Sequence, residues 1–173
     1  MSSRPTLVLG TSGAGQTRAL ARALAPQCVP GDVLLLAGDL GAGKTTFAQG
    51  FGAGLGIDEP ITSPTFTLVR QYAVPAGPFA VRTLFHADVY RLDHLQEIVD
   101  LGLGELVEDG GMALVEWGDV AEPVLGDGSL EVRLDAVPGD EDRRTISIAA
   151  RGASWSERFA ALEVALAPWR VVG

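Results

Sequence analysis

The chain has 173 residues, with 13 Lys plus Arg against 22 Asp plus Glu, a formal net charge of -9 and an apolar share of 47 %. That size and balance suit one soluble domain over residues 1–173 with a single buried core. No run reaches the roughly 18 consecutive apolar residues of a membrane span, and Gly, Ser and Thr within the first thirty residues break the apolar stretch of a secretory leader, so neither is expected. One cysteine and two histidines also exclude an internal disulfide and a zinc cluster, so the expected location is cytoplasmic.

Residues 6–9 are short and apolar and predict a first strand, ended by the glycine-rich stretch 10–15. From residue 16 to about 26, Leu20, Ala23 and Leu24 recur at helical spacing. Pro30-Gly31-Asp32 reads as a turn. The unbroken run Val33-Leu34-Leu35-Leu36-Ala37 suits a strand covered on both faces. A glycine-rich loop follows, then a helix from about 44 to 55.

Residues 66–74 and 79–85 read as two strands joined at Pro75-Ala76-Gly77-Pro78, a hairpin pattern. A second helix is predicted over 94–107 and another buried strand over 112–115. Residues 129–137 and 144–149 alternate like half-exposed strands, with the acidic turn Gly139-Asp140-Glu141-Asp142 between them. A last helix is predicted over 155–167, ending at Pro168. No linker, repeat or low-complexity tract interrupts this order. The sum is an α/β fold, a mixed and mostly parallel sheet flanked by helices.

Within that order, Gly38-Asp39-Leu40-Gly41-Ala42-Gly43-Lys44-Thr45 matches G-x-x-x-x-G-K-[ST] at every fixed position. For this composition, chance gives such a match in about one sequence in six hundred. The glycines let backbone N–H groups turn inward as an anion cradle, and the helix that follows adds its positive end. Lys44 supplies a charge to the β- and γ-phosphates, and the Thr45 hydroxyl can ligate Mg²⁺. Lys44 is also the chain's one lysine. The reading is a P-loop protein that binds a nucleotide with Mg²⁺, the nucleotide held by Leu40, Gly41, Ala42, Gly43, Lys44, Thr45 and Thr46. Upstream, Gly10-Thr11-Ser12-Gly13-Ala14-Gly15-Gln16-Thr17 copies the spacing with Gln in place of Lys. Without the cation it reads as a flexible turn capping the first helix, able to lie over the nucleotide, with Thr17 the residue to watch.

Two acids end apolar strands. Glu116 follows Met112-Ala113-Leu114-Val115, as a metal-side acid at the carboxyl edge of a sheet would. Asp88 follows Thr83-Leu84-Phe85-His86-Ala87 and is placed to orient an attacking water. If the strand continues past residue 85, alternation puts His86, Asp88 and Tyr90 on one side, where a lone histidine more often serves as a structural hydrogen-bonder. Ser63-Pro64-Thr65-Phe66 is either a rigid turn or a switch segment sensing the γ-phosphate.

Taken together, the phosphate loop, then Ser63-Pro64-Thr65-Phe66-Thr67-Leu68-Val69, then His86-Ala87-Asp88-Val89-Tyr90-Arg91-Leu92, then Leu114-Val115-Glu116-Trp117, resemble in order and spacing the bacterial TsaE (YjeE) ATPases. The likeness covers roughly residues 15–135. It implies a Mg²⁺-dependent ATPase, weak alone, that binds ATP or ADP and joins the TsaB and TsaD proteins. TsaD transfers threonylcarbamoyl to adenosine 37 of tRNAs reading A-starting codons, and ATP hydrolysis supports its turnover. By position, Lys44 and the loop amides bind phosphates, Thr45 and Glu116 hold Mg²⁺, Asp88 supports hydrolysis, residues 63–66 form the switch-like loop, and Trp117 lies beside the nucleotide or the partner. The Gly10 to Gly15 stretch replaces the family's usual polar cap before the first helix, beyond about residue 137 the match is only in general pattern, and the loop 74–82 and the tail 151–173 are not carried over.

Charge bears on the partners. Residues 1–86 hold 6 basic and 4 acidic side chains, whereas residues 87–173 hold 7 and 18. Such a half repels phosphate backbones, so no independent tRNA binding is expected. Two other classes fit a phosphate loop: a small-molecule kinase, for which an arginine-bearing lid is hard to find here, and a nucleotide-gated binding module with negligible turnover.

Overall fold

A computed structural model describes residues 4–39, 41–62, 69–89, 107, 109–117 and 129–171. Strands β1 (Thr6–Ser12), β2 (Val33–Ala37), β3 (Val69–Ala73), β4 (Thr83–Val89), β5 (Gly111–Trp117), β6 (Ser129–Val137) and β7 (Asp140–Ala150) form one sheet in the order β1-β7-β6-β2-β5-β4-β3. The middle is parallel: β6 and β5 flank β2, and β4 pairs with β5. Antiparallel partners close both sides, β3 on β4 at one end and β6–β7–β1 at the other. This is the mixed α/β sheet the sequence predicts, with the parallel pairing confined to its centre.

Helices α1 (Ala14–Leu24), α2 (Lys44–Gly54) and α3 (Ala153–Ala165) bury spaced apolar residues against one main core. Leu20 and Leu24 of α1, Phe47 and Phe51 of α2, and Trp155, Phe159 and Leu162 of α3 lie one helical turn or two apart and share that core with Leu34, Leu36, Leu114 and Val132. The other parity of the same strands, Leu35, Phe85, Ala113 and Val115, packs in a second cluster with Val107. Burial on both faces is why β2 reads as an unbroken apolar run. Cys28 is buried, its Sγ 3.9 Å from the Leu24 carbonyl oxygen. Burial pushes its thiol well above the ordinary value, Asp32 adds to the rise and Arg158 opposes it.

Three expectations are corrected. The first strand does not stop at Leu9: Gly10, Thr11 and Ser12 continue it by pairing with Thr145, Arg144 and Arg143 of β7. The Gly10 to Gly15 stretch is therefore strand, a single linking glycine and the start of α1, not a turn. The acidic turn contracts to Pro138-Gly139, and Asp140, Glu141 and Asp142 belong to β7. The predicted hairpin forms with shifted ends, because β4 runs on through His86 and Asp88 beside β5. The predicted helix over 94–107 lies outside the described residues apart from Val107. Among the described residues no helix is long and apolar enough to cross a membrane.

Helices α1 and α2 meet backbone to backbone. A Cβ on Gly50 would lie 2.3 Å from the Arg18 carbonyl oxygen, and one on Gly54 would lie 2.6 Å from that of Arg22. The obstacle is backbone, which no rotamer change relieves. Gly50→Ala is thus expected to destabilise by about 1–3 kcal/mol from overpacking, outweighing the roughly 1 kcal/mol that alanine gains in a helix interior. Urea unfolding reads this directly, and an unchanged or higher midpoint would show that the pair separates easily.

Candidate functional site

The loop between β2 and α2 owes its shape to glycines at left-handed positions, Gly38 (φ 148°), Gly41 (φ 82°) and Gly43 (φ 108°). Gly38 is further constrained, since a Cβ there would stand 2.5 Å from the Leu134 carbonyl oxygen. The Ala42 N–H closes a turn onto the Asp39 carbonyl at 3.0 Å, and the Phe47 N–H donates to Gly43 at 2.8 Å as α2 begins. Gly43 is the N-cap of α2 and has no side-chain cap. The first N–H groups of the helix thus lack a side-chain acceptor, which is what an anion site needs. Lys44, Thr45 and Thr46 occupy the first turn, all half-buried. The Lys44 ammonium donates to the Gly38 carbonyl at 2.9 Å, folding back across the mouth of its own loop.

The acids arrive from the neighbouring strands. Asp88 and Glu116 are register partners on β4 and β5, at the carboxyl edge of the sheet. Asp88 is half-buried and Glu116 buried. The Thr45 hydroxyl donates to Glu116 Oε1 at 3.4 Å, linking α2 to β5 across 71 residues. On the other side of that carboxylate, Oε2 lies 3.3 Å from Nε2 of His86, a fully buried ring. Lys44, Thr45, Asp88 and Glu116 are thus brought to one edge. Leu40, residues 63–66, Tyr90 and the side chain of Trp117 lie outside the described residues.

Sequence reasoning missed Arg144. Its Nε donates to the Ala42 carbonyl at 3.0 Å and Nη2 to that of Gly41 at 3.4 Å, while Nη1 donates to Glu141 and Arg143 carbonyls. A planar guanidinium with five fixed donors can tie a strand to a loop in this way, where a lysine could not. The register of β7 on β6 slips between Ala136 and Val137, and Arg144 stands at that irregularity. A separation of 102 residues left no signal in the sequence.

Thr17 is buried, its hydroxyl 2.9 Å from that of Thr11. The start of α1 (Gly13, Ala14, Thr17) faces Gly41, Thr46 and Arg144 across a cleft of about 180 Å³. Gly13, Ala14 and Thr17 of the lysine-free copy of the motif thus form one wall of a cleft whose other wall includes Gly41, Ala42 and Gly43. Chemically, this edge offers the first N–H groups of α2 with no side-chain cap, the Lys44 ammonium, the Thr45 hydroxyl and two carboxylates, a set suited to a phosphate chain and a hard cation.

Comparison with known proteins gives the family and the fold. The family model described as "Threonylcarbamoyl adenosine biosynthesis protein TsaE" matches residues 11–146. The tRNA threonylcarbamoyladenosine biosynthesis protein TsaE of Bacillus subtilis (strain 168) is 43% identical over 137 residues, 79% of this chain and 81% of that protein. The protein of the same name from Streptomyces coelicolor is 38% identical over 143 residues, covering 80% and 93% of the two chains. The crystal structure of Bacillus subtilis YdiB superposes with a TM-score of 0.73 at 34% identity, covering 95% of this chain and 98% of that one.

Proposed function

The chain belongs to the TsaE family of threonylcarbamoyl adenosine biosynthesis proteins, and on that premise we propose that it is a Mg²⁺-dependent ATPase serving the TsaB–TsaD transferase. Its hydrolysis supports turnover of the enzyme that places threonylcarbamoyl on adenosine 37 of tRNAs reading A-starting codons, in the cytoplasm. The observation that carries the reading is the opposition of Lys44 and Thr45, on the first turn after the glycine loop, to Glu116 on the neighbouring strand edge.

Lys44 exchanges its Gly38 carbonyl for β- and γ-phosphate oxygens. The amides of residues 40–46 hold the remaining oxygens, and Arg144 keeps the loop carbonyls turned away from the anion. The donors present suit Mg²⁺, since Thr45 and Glu116 supply a hydroxyl and a carboxylate and leave the other positions to phosphate and water. When bound, that ion neutralises charge on the phosphates. Asp88, in register with Glu116, orients the attacking water. The strongly acidic second half leaves tRNA to the partners.

The test is ATP hydrolysis by the purified chain with and without TsaB and TsaD, using Lys44→Ala as the blank. Stimulation by the pair, lost in the variant, is expected. No stimulation, together with phosphorylation of a small metabolite, would instead establish a kinase. Within the site, Asp88→Ala should lower turnover about a hundredfold while changing nucleotide affinity little. Glu116→Ala should raise the Mg²⁺ concentration needed for half-maximal rate. Calorimetry beside rate measurements separates the two, and chiefly weakened binding in Asp88→Ala would exchange their roles.

A further inference from the structure

His86 lies inside the sheet with no surface exposed, and among the described residues neither of its ring nitrogens makes a hydrogen bond of good geometry. A polar ring in such a place needs a partner. What it faces is Glu116 Oε2, 3.3 Å from Nε2. His86 stands two residues before Asp88 on β4, and its register partner Leu114 stands two before Glu116 on β5, so the ring meets the carboxylate diagonally on one sheet face. The carboxylate is consequently approached at both oxygens, by Thr45 at Oε1 and by His86 at Oε2.

The last torsion of a glutamate is soft and roughly two-fold. A single contact therefore leaves the plane of the carboxylate free to turn, whereas two contacts, one at each oxygen, fix it. We propose that His86 is a positioning residue, whose Nε2–H holds Oε2 of Glu116 so that Oε1 faces Thr45 and the metal side of the site. The proposal rests on reading Glu116 as the metal-side acid. It assigns the ring a duty toward the carboxylate, beyond filling the space between β4 and β5, and it makes the Nε2–H tautomer the working one. Because Thr45 and His86 sit on different elements, α2 and β4, Glu116 reports the spacing of both to the cation position.

The experiment measures binding of a non-hydrolysable ATP analogue to the full chain by calorimetry, in EDTA and across a Mg²⁺ titration. For His86→Leu, affinity in EDTA should stay within about twofold, while the Mg²⁺ concentration for half-maximal enhancement rises about tenfold, the range seen when a ligand loses its supporting hydrogen bond. His86→Gln, whose amide N–H can reach Oε2, should recover most of that loss. Glu116→Gln should show the same rise, and His86→Leu added to it should add nothing further, which a merely structural role would not produce.

Unchanged Mg²⁺ dependence in His86→Leu beside a shifted one in Glu116→Gln overturns the positioning role alone. No shift in Glu116→Gln removes the metal-side reading of that acid and the proposal with it. Should His86→Leu fail to fold, His86→Gln and His86→Asn carry the comparison, since the shorter amide cannot reach the carboxylate; equal Mg²⁺ curves for those two overturn the proposal.

Discussion

Lys44→Ala is expected to leave a folded chain whose ATP turnover, with TsaB and TsaD present, falls at least about a hundredfold. The folded state loses one hydrogen bond from a half-buried ammonium to the Gly38 carbonyl, worth about 1 kcal/mol. The bound state loses far more. A charge-assisted hydrogen bond to phosphate contributes about 1.5–3 kcal/mol, and in the proposed function the ammonium serves two phosphates where charge develops during transfer. Lys44→Arg should not restore the rate, because a planar fork does not fit where a compact ammonium folds over the loop. Circular dichroism checks the fold and coupled phosphate release the rate. Full turnover in the alanine variant would remove the phosphate loop from the mechanism.

The composition provides a second check on the same side chain. Lys44 is the chain's one lysine, so an amine-directed reagent marks it and the amino terminus alone. ATP should shield Lys44 from that reagent and leave the terminus reactive, which mass spectrometry of the digested chain resolves. Equal labelling with and without nucleotide would mean that the ammonium is not at the phosphates.

How legible each part was follows from where its determinants lie. Strand β2 is recovered to the residue, because burial on both faces writes itself as five apolar side chains in a row. The phosphate loop is legible because backbone geometry demands glycine and charge demands lysine at fixed spacing. Strand β1 reads as too short because Gly10 has poor strand propensity and opens a glycine-rich stretch, and what extends the strand is pairing with β7, more than 130 residues away. Asp140, Glu141 and Asp142 looked like a turn for the same reason, since a glycine at φ 84° lets Pro138-Gly139 reverse the chain alone. Asp88 and Glu116 could be named as strand ends, but their register could not. Arg144 and the His86–Glu116 contact depend wholly on which strands become neighbours, and no local pattern carries that.

Arg158 and Asp32 should show the largest effect on stability with the least on nucleotide binding. Asp32 is 5% exposed at its side chain and is met by Arg158 through two parallel bonds, Nη2 to Oδ1 at 2.6 Å and Nη1 to Oδ2 at 2.9 Å. The Val29 N–H adds a third at 2.7 Å, and the guanidinium lies 3.8 Å from the Trp155 ring centroid while bonding the Gln27 carbonyl. The pair thus ties α3 to the entrance of β2, at the opposite end of the strand from the phosphate loop. Arg158→Ala leaves a buried carboxylate with one N–H in place of a paired cation, and such losses cost about 3–5 kcal/mol. The double replacement Asp32→Asn with Arg158→Leu should cost less than Arg158→Ala alone, because no unpaired charge remains. Below the lowered melting temperature, both should bind ATP like the parent, since Lys44 and its loop lie beyond the far end of β2. Thermal melts beside calorimetric titrations separate the two quantities. A melting point unchanged in Arg158→Ala would mean that solvent already carries that charge, and weakened ATP binding in the folded variant would mean that strain travels along β2 to the loop.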